Sequence, residues 1–203
     1  VHHKKLAYLC FFCNLVCHEY TSYLYNLLAI IITHFYKKVN SIMIDISRSI
    51  NKRIKVYSGD PKFNAKEVYS IEKGDEYNVS EITMGSHMST HIDSPKHFFE
   101  DGVSVDMLDI NSICGKAVVV TAEKDVDSRF LRTVDISCGR VIIRTGGKYG
   151  LTKCGAEYLA QNGIKIVGTD GMDIEAEGNK YYEAHKALLG NGAPILEYLD
   201  LED

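Results

Sequence analysis

The sequence predicts a mixed α/β domain that begins at Met43. Two segments, GKAVVVTA (115–122) and GRVIIRTG (139–146), are nearly continuous apolar runs of strand length, as expected for central strands covered on both faces. The segment LTKCGAEYLAQNG (151–163) has apolar residues at helical spacing and stops at Asn-Gly, which predicts a capped helix. A further buried strand is predicted in IKIVGTDG (164–171). Together these segments indicate the α/β class.

Strands dominate the prediction for the first half of this domain. IDISRSI (44–50) and IKVYSGD (54–60) are short alternating or β-branched segments that end in a turn. The segment EVYSIEKGDEYNVSEITMGSHMSTHI (67–92) predicts a hairpin that turns at residues 73–75, Lys-Gly-Asp. No internal repeat or interdomain linker follows Met43, so one domain over residues 43–203 is expected.

Residues 1–42 differ in composition from the rest of the chain. Their apolar runs are interrupted by polar residues, and neither reaches the span of about 20 apolar residues that a membrane helix needs. A secretory signal is disfavoured because no small-residue cleavage site follows. MIDISRSI, which starts at Met43, resembles an ordinary protein start. We therefore predict that residues 1–42 are an N-terminal extension outside the functional domain.

Two alternatives for this extension stay open. Cys10, Cys13, Cys17 and His18 have a spacing that could hold a metal, although no second cluster nearby completes four ligands. A membrane anchor would have to lie in the segment 23–36.

Composition favours a small-molecule partner. The 23 Lys and Arg residues and 27 Asp and Glu residues give a formal charge of -4, which offers no bulk attraction to nucleic acid or to an anionic membrane. The six cysteines form no CxxC pair after Met43, a pattern typical of reduced thiols in a cytoplasmic protein rather than of a disulfide framework. We expect a cytoplasmic protein.

The segment GSHMSTHIDSPKHFF (85–99) carries a concentration of potential metal ligands. On a strand, alternate side chains share a face, so His87, Ser89, His91 and Asp93 are predicted to project together. Met88 and Ile92 would then point into the opposite, apolar layer. Two imidazoles and a carboxylate on one face suit zinc or manganese better than calcium or magnesium.

Pro95 is expected to end this strand because it has no N–H for the ladder. The chain then turns and carries His97 around the edge of the site, in a position to act as something other than a ligand. Surface histidines at a three-residue gap are often incidental, but the full pattern H-x3-H-x-D-x3-H is much harder to produce by chance among 8 histidines. The pattern therefore favours metal binding.

The segment GSHMSTHIDSPKHF resembles the signature of the cyclase family of metal-dependent hydrolases. Its members include the bacterial kynurenine formamidases (arylformamidases), with the isatin hydrolases as relatives. The resemblance continues through MIDISRSINKRIKVYSGDP, LTKCGAEYLAQNGIKIVGTDGMDIE and HKALLGNGAPILEYLDL, so it extends roughly from Met43 to the C-terminus. It implies a swivelling β/β/α-type fold, with a mixed sheet or half-open barrel and flanking helices.

The resemblance also implies the residues of the site. It makes His97 the catalytic histidine and assigns a two-metal site to five ligands: His87, His91, Asp93, His185 and Glu197. Asp93 and Glu197 are expected to reach both metals. From the residues alone, His185 would be a helix-end or loop histidine and Glu197 an ordinary surface acid.

The implied cofactors are two divalent metal ions, with zinc as the first choice and manganese as the alternative. Such ions lower the pKa of a shared water, which gives a hydroxide able to attack the carbonyl of an aryl formamide or cyclic amide, as N-formylkynurenine illustrates. His97 would be the general acid and base. The alternative is a non-catalytic metal or small-molecule binding protein on the same scaffold, which would have no use for an unligated His97.

Two departures from the family pattern matter. Tyr57-Ser58 precedes Gly59-Asp60 where the formamidases usually have Trp-Pro, and the chain contains no Trp. Tyr57 is predicted to bind the substrate by stacking on an aromatic ring. The sequence stops at Asp203, soon after Glu197, where family members continue with further strands, so we expect a C-terminal truncation. The resemblance also implies a homodimer or homotetramer.

Overall fold

A computed structural model describes residues 6–9 and 44–202. The N-terminal cysteine cluster and the segment 23–36 fall outside these residues. Among the helices of the described part, none is long and apolar enough to cross a membrane.

The described residues form strands, short α-helices and single turns of 3-10 helix. The strands are β1 (Leu6–Leu9), β2 (Asn64–Tyr69), β3 (Val79–Thr83), β4 (His91–Asp93), β5 (Gly115–Thr121), β6 (Arg140–Arg144), β7 (Ile166–Thr169) and β8 (Ile195–Glu197). The α-helices are α1 (Ile110–Ile113), α2 (Ser128–Leu131), α3 (Lys153–Gln161) and α4 (Glu183–Leu189). The 3-10 turns are Ile71–Lys73, Pro95–His97 and Val105–Met107.

Six strands form one mixed sheet in the order β1-β5-β6-β7-β8-β4. The four inner strands, β5 to β8, run parallel, while β1 and β4 pair antiparallel at the two edges. Strands β2 and β3 form a separate antiparallel hairpin. The predicted mixed α/β class is confirmed. The prediction that residues 1–42 lie outside the functional domain stays a prediction, and expression from Met43 tests it.

The strongest sequence signals correspond to observed elements. The three apolar runs form β5, β6 and β7, and the predicted helix forms α3. Thr152 caps this helix, because its hydroxyl oxygen accepts a hydrogen bond of 3.2 Å from the N–H of Gly155. The predicted hairpin is also confirmed, and Gly74 occupies its turn with a φ of 96° that favours glycine.

The segments 44–50 and 54–60 do not form the predicted strands. Local hydrogen bonds form instead: the Asp45 carboxylate accepts from the N–H of Ser47, and the Tyr57 carbonyl accepts from the N–H of Asp60 at 3.1 Å. Such local bonds compete with strand ladders. The first segment lies against the end of the domain, since the N–H of Asp200 donates to the Ile46 carbonyl at 2.8 Å.

The sheet has a hydrophobic cluster on each face. Val141 and Ile143 of β6 belong to the cluster that also contains buried residues of α3 and α4, whereas Ile142 between them belongs to the other cluster. Alternation continues in β8, where Ile195 joins the first cluster and Leu196 the second. The next residue, Glu197, therefore projects on the helix-covered face. This places a carboxylate beside α4, at the carboxyl end of a parallel strand.

Candidate metal centre

The residues predicted for the site converge on the carboxylate of Asp93. Nδ1 of His87 lies 2.8 Å from Asp93 Oδ1, and Nε2 of His91 lies 3.4 Å from the same oxygen. Nε2 of His185 lies 3.5 Å from Asp93 Oδ2. Although these residues come from a loop, a strand and a helix, their polar atoms meet in one place.

Strand pairing brings Glu197 to the same place. Residues His91 and Glu197 are direct partners in the antiparallel pair of β4 and β8, so their side chains lie on one face. Glu197 Oε2 is 3.5 Å from His91 Nε2, and Glu197 Oε1 is 3.3 Å from His185 Nε2. Only 4% of Glu197 is exposed, so the residue is not the surface acid that its local sequence suggested.

The predicted strand ladder from His87 to Asp93 is wrong in its first half. Only His91–Asp93 is strand, and His87 reaches the site from the irregular segment before it. Ser89 interrupts the extended backbone with a φ of 60°, and its hydroxyl donates to the carbonyl of Arg48 at 2.9 Å. The N–H of Arg48 in turn donates to Thr90 Oγ1. These bonds to the segment 44–50 replace the strand ladder.

His97 follows the turn that Pro95 was predicted to make. The 3-10 helix Pro95–His97 places Nε2 of His97 3.9 Å from Asp93 Oδ2, and its ring centroid lies 3.9 Å from that of His87. Its side chain is 35% exposed, whereas that of His91 is 9% exposed. His97 therefore lies nearer the solvent than His91 does.

Hydrogen bonds orient the two buried imidazoles. Nδ1–H of His91 donates to the Ser89 carbonyl at 2.9 Å, and Nδ1–H of His185 donates to Glu175 Oε1 at 2.8 Å. In a neutral ring, each bond leaves Nε2 without a proton. It also directs the Nε2 atom at Asp93 and Glu197. A partner that fixes the tautomer in this way is the usual support for a metal-binding histidine.

Sequence reasoning missed Glu175. Its carboxylate accepts from the backbone N–H groups of His185 (2.9 Å) and Ala184 (3.1 Å) as well as from the His185 ring. Its backbone is fixed by an isolated bridge to Leu151, whose N–H donates to the Ile174 carbonyl at 2.7 Å. Glu175 thereby anchors the first turn of α4 and the ring that this turn carries.

The charges of the cluster depend strongly on one another. Burial raises the pKa of Asp93, but contacts with His185, His87 and His91 outweigh it and hold that pKa well below its usual range. Burial lowers the pKa of His185, but its contacts with carboxylates prevail and raise that pKa to about 12. Burial also raises the pKa of Glu197. A cation bound by these residues would have to displace the protons that the raised pKa values of His185 and Glu197 favour.

The buried polar atoms of this cluster fit a divalent cation. Nε2 of His91 and both carboxylate oxygens of Asp93 are buried and have no hydrogen-bond partner among the described residues. The 2.8 Å contact of His87 with Asp93 lacks the alignment of a hydrogen bond. Buried polar atoms rarely stay unsatisfied, and imidazole together with carboxylate is a donor set suited to zinc and its neighbours. The arrangement of these atoms is therefore suited to binding a cation.

Comparison with known proteins agrees with this geometry. The Cyclase family model matches residues 44–176, which is more than half of the chain. The chain belongs to the cyclase family. The kynurenine formamidase of Erythrobacter litoralis (strain HTCC2594) is 30% identical over 172 residues, which cover 78% of this chain and 79% of that protein.

Solved structures of other proteins share the fold. One, described as a potential metal-dependent hydrolase with cyclase activity, has a TM-score of 0.67 at 26% identity and covers 79% of this chain and 82% of its own. Isatin hydrolase A from Labrenzia aggregata has a TM-score of 0.71 at 20% identity, over 88% of this chain and 87% of its own, which shows a common fold. The family-model match ends before His185 and Glu197. His185 and Glu197 are joined to the cluster by their short distances to Asp93 and His91.

Asp173 and Tyr57 lie beside His185, at the edge of the cluster. Asp173 Oδ1 lies 4.0 Å from His185 Nδ1, and Asp173, His185 and Glu197 together could hold an ion. The Tyr57 hydroxyl donates to Asp173 Oδ2 at 2.5 Å, and Tyr57 is 49% exposed. Tyr57, predicted to bind substrate, is thus placed beside the cluster with much of its ring accessible.

One sequence signal could have pointed to Asp173 and Glu175. Both follow β7, and in parallel sheets ligands gather beyond the carboxyl ends of the strands. The predicted strand at 164–171 therefore indicates that the acids directly after it could lie at a binding site. Their individual roles still depend on contacts with His185, which lies ten residues further along the chain from Glu175.

Proposed function

We propose that the protein is a metal-dependent amidohydrolase that cleaves the C–N bond of a small aryl formamide or cyclic amide. Its membership in the cyclase family and its 30% identity to a kynurenine formamidase support this class of substrate. The observation that carries the proposal is the cluster around Asp93, where buried ligand atoms without hydrogen bonds lie next to a partly exposed histidine, His97. That combination offers both metal ligands and a proton carrier.

We propose two divalent ions, zinc first and manganese as the alternative. Three sets of residues have ligand atoms close enough to share an ion: His87, Asp93 and His97; His91, Asp93 and Glu197; Asp173, His185 and Glu197. Asp93 and Glu197 each belong to two of these sets, which supports bridging carboxylates. His97, the most exposed histidine of these sets, is assigned to proton transfer and not to a metal. A bound divalent cation supplies a Lewis acid for the amide carbonyl and lowers the pKa of its water.

His97 is the proposed general acid and base. Its pKa is lowered, first by burial and also by the neighbouring histidines, although Asp93 acts in the opposite direction. A neutral imidazole near pH 7 accepts a proton from the nucleophilic water and returns it to the departing amine. Among the four histidines close to Asp93, His97 has the most exposed side chain, at 35%, and His87 follows at 32%.

The alternative is a non-catalytic metal or small-molecule binding protein. It would use the same buried ligands but would not need His97. Purified protein should be analysed for bound metal and screened for hydrolysis of N-formylkynurenine, isatin and simple aryl formamides. His97→Ala is compared with Lys96→Ala, an exposed neighbour on the same turn.

The expected result is two bound metals in all three proteins and turnover lost only in His97→Ala. Metal binding without turnover of any of these amides would favour the binding protein. Wild-type protein that takes up no divalent metal would overturn both functions.

We also propose that the protein is a homodimer or homotetramer. Every residue of the hairpin strands β2 and β3 is exposed, including Val68, Tyr69 and Ile82. A two-stranded hairpin is marginally stable by itself, and an exposed apolar patch commonly marks an interface. Light scattering should show an assembly that Ile82→Glu weakens. A wild-type monomer at micromolar concentration would contradict this proposal.

A cytoplasmic location completes the proposal, with a small molecule as the other partner. Cys138 and Cys154 form no disulfide, which supports a reducing compartment. The formal charge of -4 gives no electrostatic reason to expect nucleic acid. Cell fractionation tests the location, and recovery of the protein in a membrane fraction would count against it.

A further inference from the structure

Tyr182 is a second half-exposed tyrosine beside the metal centre, and the proposed chemistry does not use it. Its ring centroid lies 5.3 Å from that of Phe98 and 6.0 Å from that of His185. The Phe98 ring in turn lies 5.0 Å from the His185 ring and 4.7 Å from the His97 ring. Phe98 and Tyr182 therefore form an aromatic surface that adjoins both His97 and His185.

The backbone holds Tyr182 in an uncommon conformation at this position. Its φ of 59° and ψ of 53° are left-handed, and it directly precedes α4, the helix that carries His185. The Tyr182 carbonyl accepts from the N–H of Lys186 at 3.0 Å in the first turn of that helix. The ring is thus attached to the same turn that positions His185, while 52% of the residue stays exposed.

Tyr181 provides an internal comparison. It has almost the same backbone conformation, with a φ of 56°, but it is 81% exposed. Within the described part of the chain, the Tyr182 ring contacts Phe98 and His185, whereas the Tyr181 ring contacts no aromatic ring. The contact with the site is therefore a property of the Tyr182 side chain and does not follow from the backbone turn.

Tyr57 and Tyr182 lie near the same part of the centre. Tyr57 is hydrogen-bonded to Asp173, Tyr182 contacts the His185 ring, and Asp173 lies 4.0 Å from His185. Two accessible aromatic rings thus adjoin one pair of site residues.

We propose that Tyr182 binds the aromatic ring of the substrate together with Tyr57 and makes the enzyme selective for aryl over aliphatic amides. This inference rests on the proposed amidohydrolase function. Aromatic rings attract one another beyond the effect of buried area, and a half-exposed tyrosine loses little conformational freedom when a ring packs on it. Tyr182 acts in binding and takes no part in proton transfer.

The test compares two formamides that differ in the amine. Formanilide carries an aromatic ring, and N-butylformamide has an aliphatic chain with the same reacting group. Tyr182→Ala should raise KM for formanilide about tenfold, which corresponds to one aromatic contact, and leave kcat within about twofold. Its kcat/KM for N-butylformamide should match that of the wild type.

Three further variants separate the ring from other effects. Tyr182→Phe keeps the ring and should retain the wild-type KM for formanilide. Tyr181→Ala, the matched control, should do the same. Tyr182→Leu keeps an apolar side chain without a ring and replaces Tyr182→Ala if that variant does not fold. Equal losses for both formamides, or an unchanged KM for formanilide in the ring-free variants, would overturn the proposal.

A binding measurement separates failure of this proposal from failure of the proposed function. If the wild type hydrolyses neither formamide, calorimetric titration of the zinc-loaded protein with acetanilide tests ring binding alone. The proposed function itself fails only if N-formylkynurenine and isatin are not hydrolysed either. Tyr182→Ala should weaken this binding about tenfold and Tyr181→Ala should not. Absence of acetanilide binding to the wild type would contradict the inference about Tyr182.

Discussion

Replacement of Glu175 by glutamine should weaken metal binding by a factor of about 10 to 100. Glu175 binds no metal in the proposed site, but its carboxylate accepts from the His185 ring at 2.8 Å and from the backbone N–H groups of His185 and Ala184 at 2.9 and 3.1 Å. Glutamine has nearly the same shape but only one accepting oxygen. Its amide NH2 group must then face a donor.

The magnitude follows from these contacts. A tenfold to hundredfold loss of affinity corresponds to about 1.4 to 2.7 kcal/mol. One buried donor left without an acceptor costs about 1 to 3 kcal/mol, which is the same range. The neutral amide also makes the His185 ring a weaker base and hence a weaker ligand. The effect should therefore appear in zinc affinity even if the variant folds normally.

The assay is a zinc competition titration against a chromophoric chelator, with thermal unfolding of the metal-free proteins measured alongside it. Glu177→Gln is the matched control, because Glu177 is an exposed acid two residues further along the same segment. The control should bind zinc like the wild type. If Glu175→Gln also binds zinc with wild-type affinity, the carboxylate does not orient His185, and the argument for a supported imidazole fails.

Three further predictions concern packing, metal removal and pH. Gly150→Ala should lower the free energy of unfolding by about 1 to 3 kcal/mol and weaken zinc binding, because its Cβ would lie 2.1 Å from the Glu175 carbonyl oxygen. Chemical denaturation measures the difference from the control Gly178→Ala, whose Cβ would have no neighbour within 4 Å. Removal of metal by a chelator should lower Tm by about 5 to 10 °C, since a ligand at 100 times its Kd contributes about 2.7 kcal/mol and each kcal/mol shifts Tm by about 2 to 4 °C. Calorimetry with and without zinc measures this shift, and equal Tm values would contradict a metal site in the fold. Zinc affinity should rise with pH between about 6 and 8, because the raised pKa values of His91 and His185 mean that the metal must displace protons from both rings. Titrations in buffers of different ionisation enthalpy measure the protons released, and an affinity that does not change with pH would contradict this prediction.

The parts of the fold that the sequence predicted well are those in which local pattern and burial agree. Strands β6 and β7 are buried along almost their whole length, so their apolar runs correctly predicted buried strands. Segment 44–50 also alternates apolar and polar residues, but its Asp45 side chain satisfies a nearby backbone N–H, and no strand forms. Local hydrogen bonds of this kind are set by rotamers and by packing, and alternation does not encode them.

The same distinction explains the site. The proximity of His91, Asp93 and His97 follows from two short elements joined at Pro95, so the sequence motif contained most of it. His87 was placed near the site for a wrong reason, since a loop with Ser89 in a left-handed conformation replaces the predicted strand. A positive φ at a serine has no reliable signature in a single sequence.

Glu197 shows why the remaining ligands needed three-dimensional information. In ILEYL it follows two apolar residues and could end a strand or begin a surface turn. Its burial results from the position of β8 between β7 and β4, and its partner His91 lies more than 100 residues earlier in the chain. Sheet order determines that pairing, and local propensity carries no information about it. The family resemblance supplied this ligand at the sequence level, and the strand register supplies the physical reason why a carboxylate at this position meets His91 and His185.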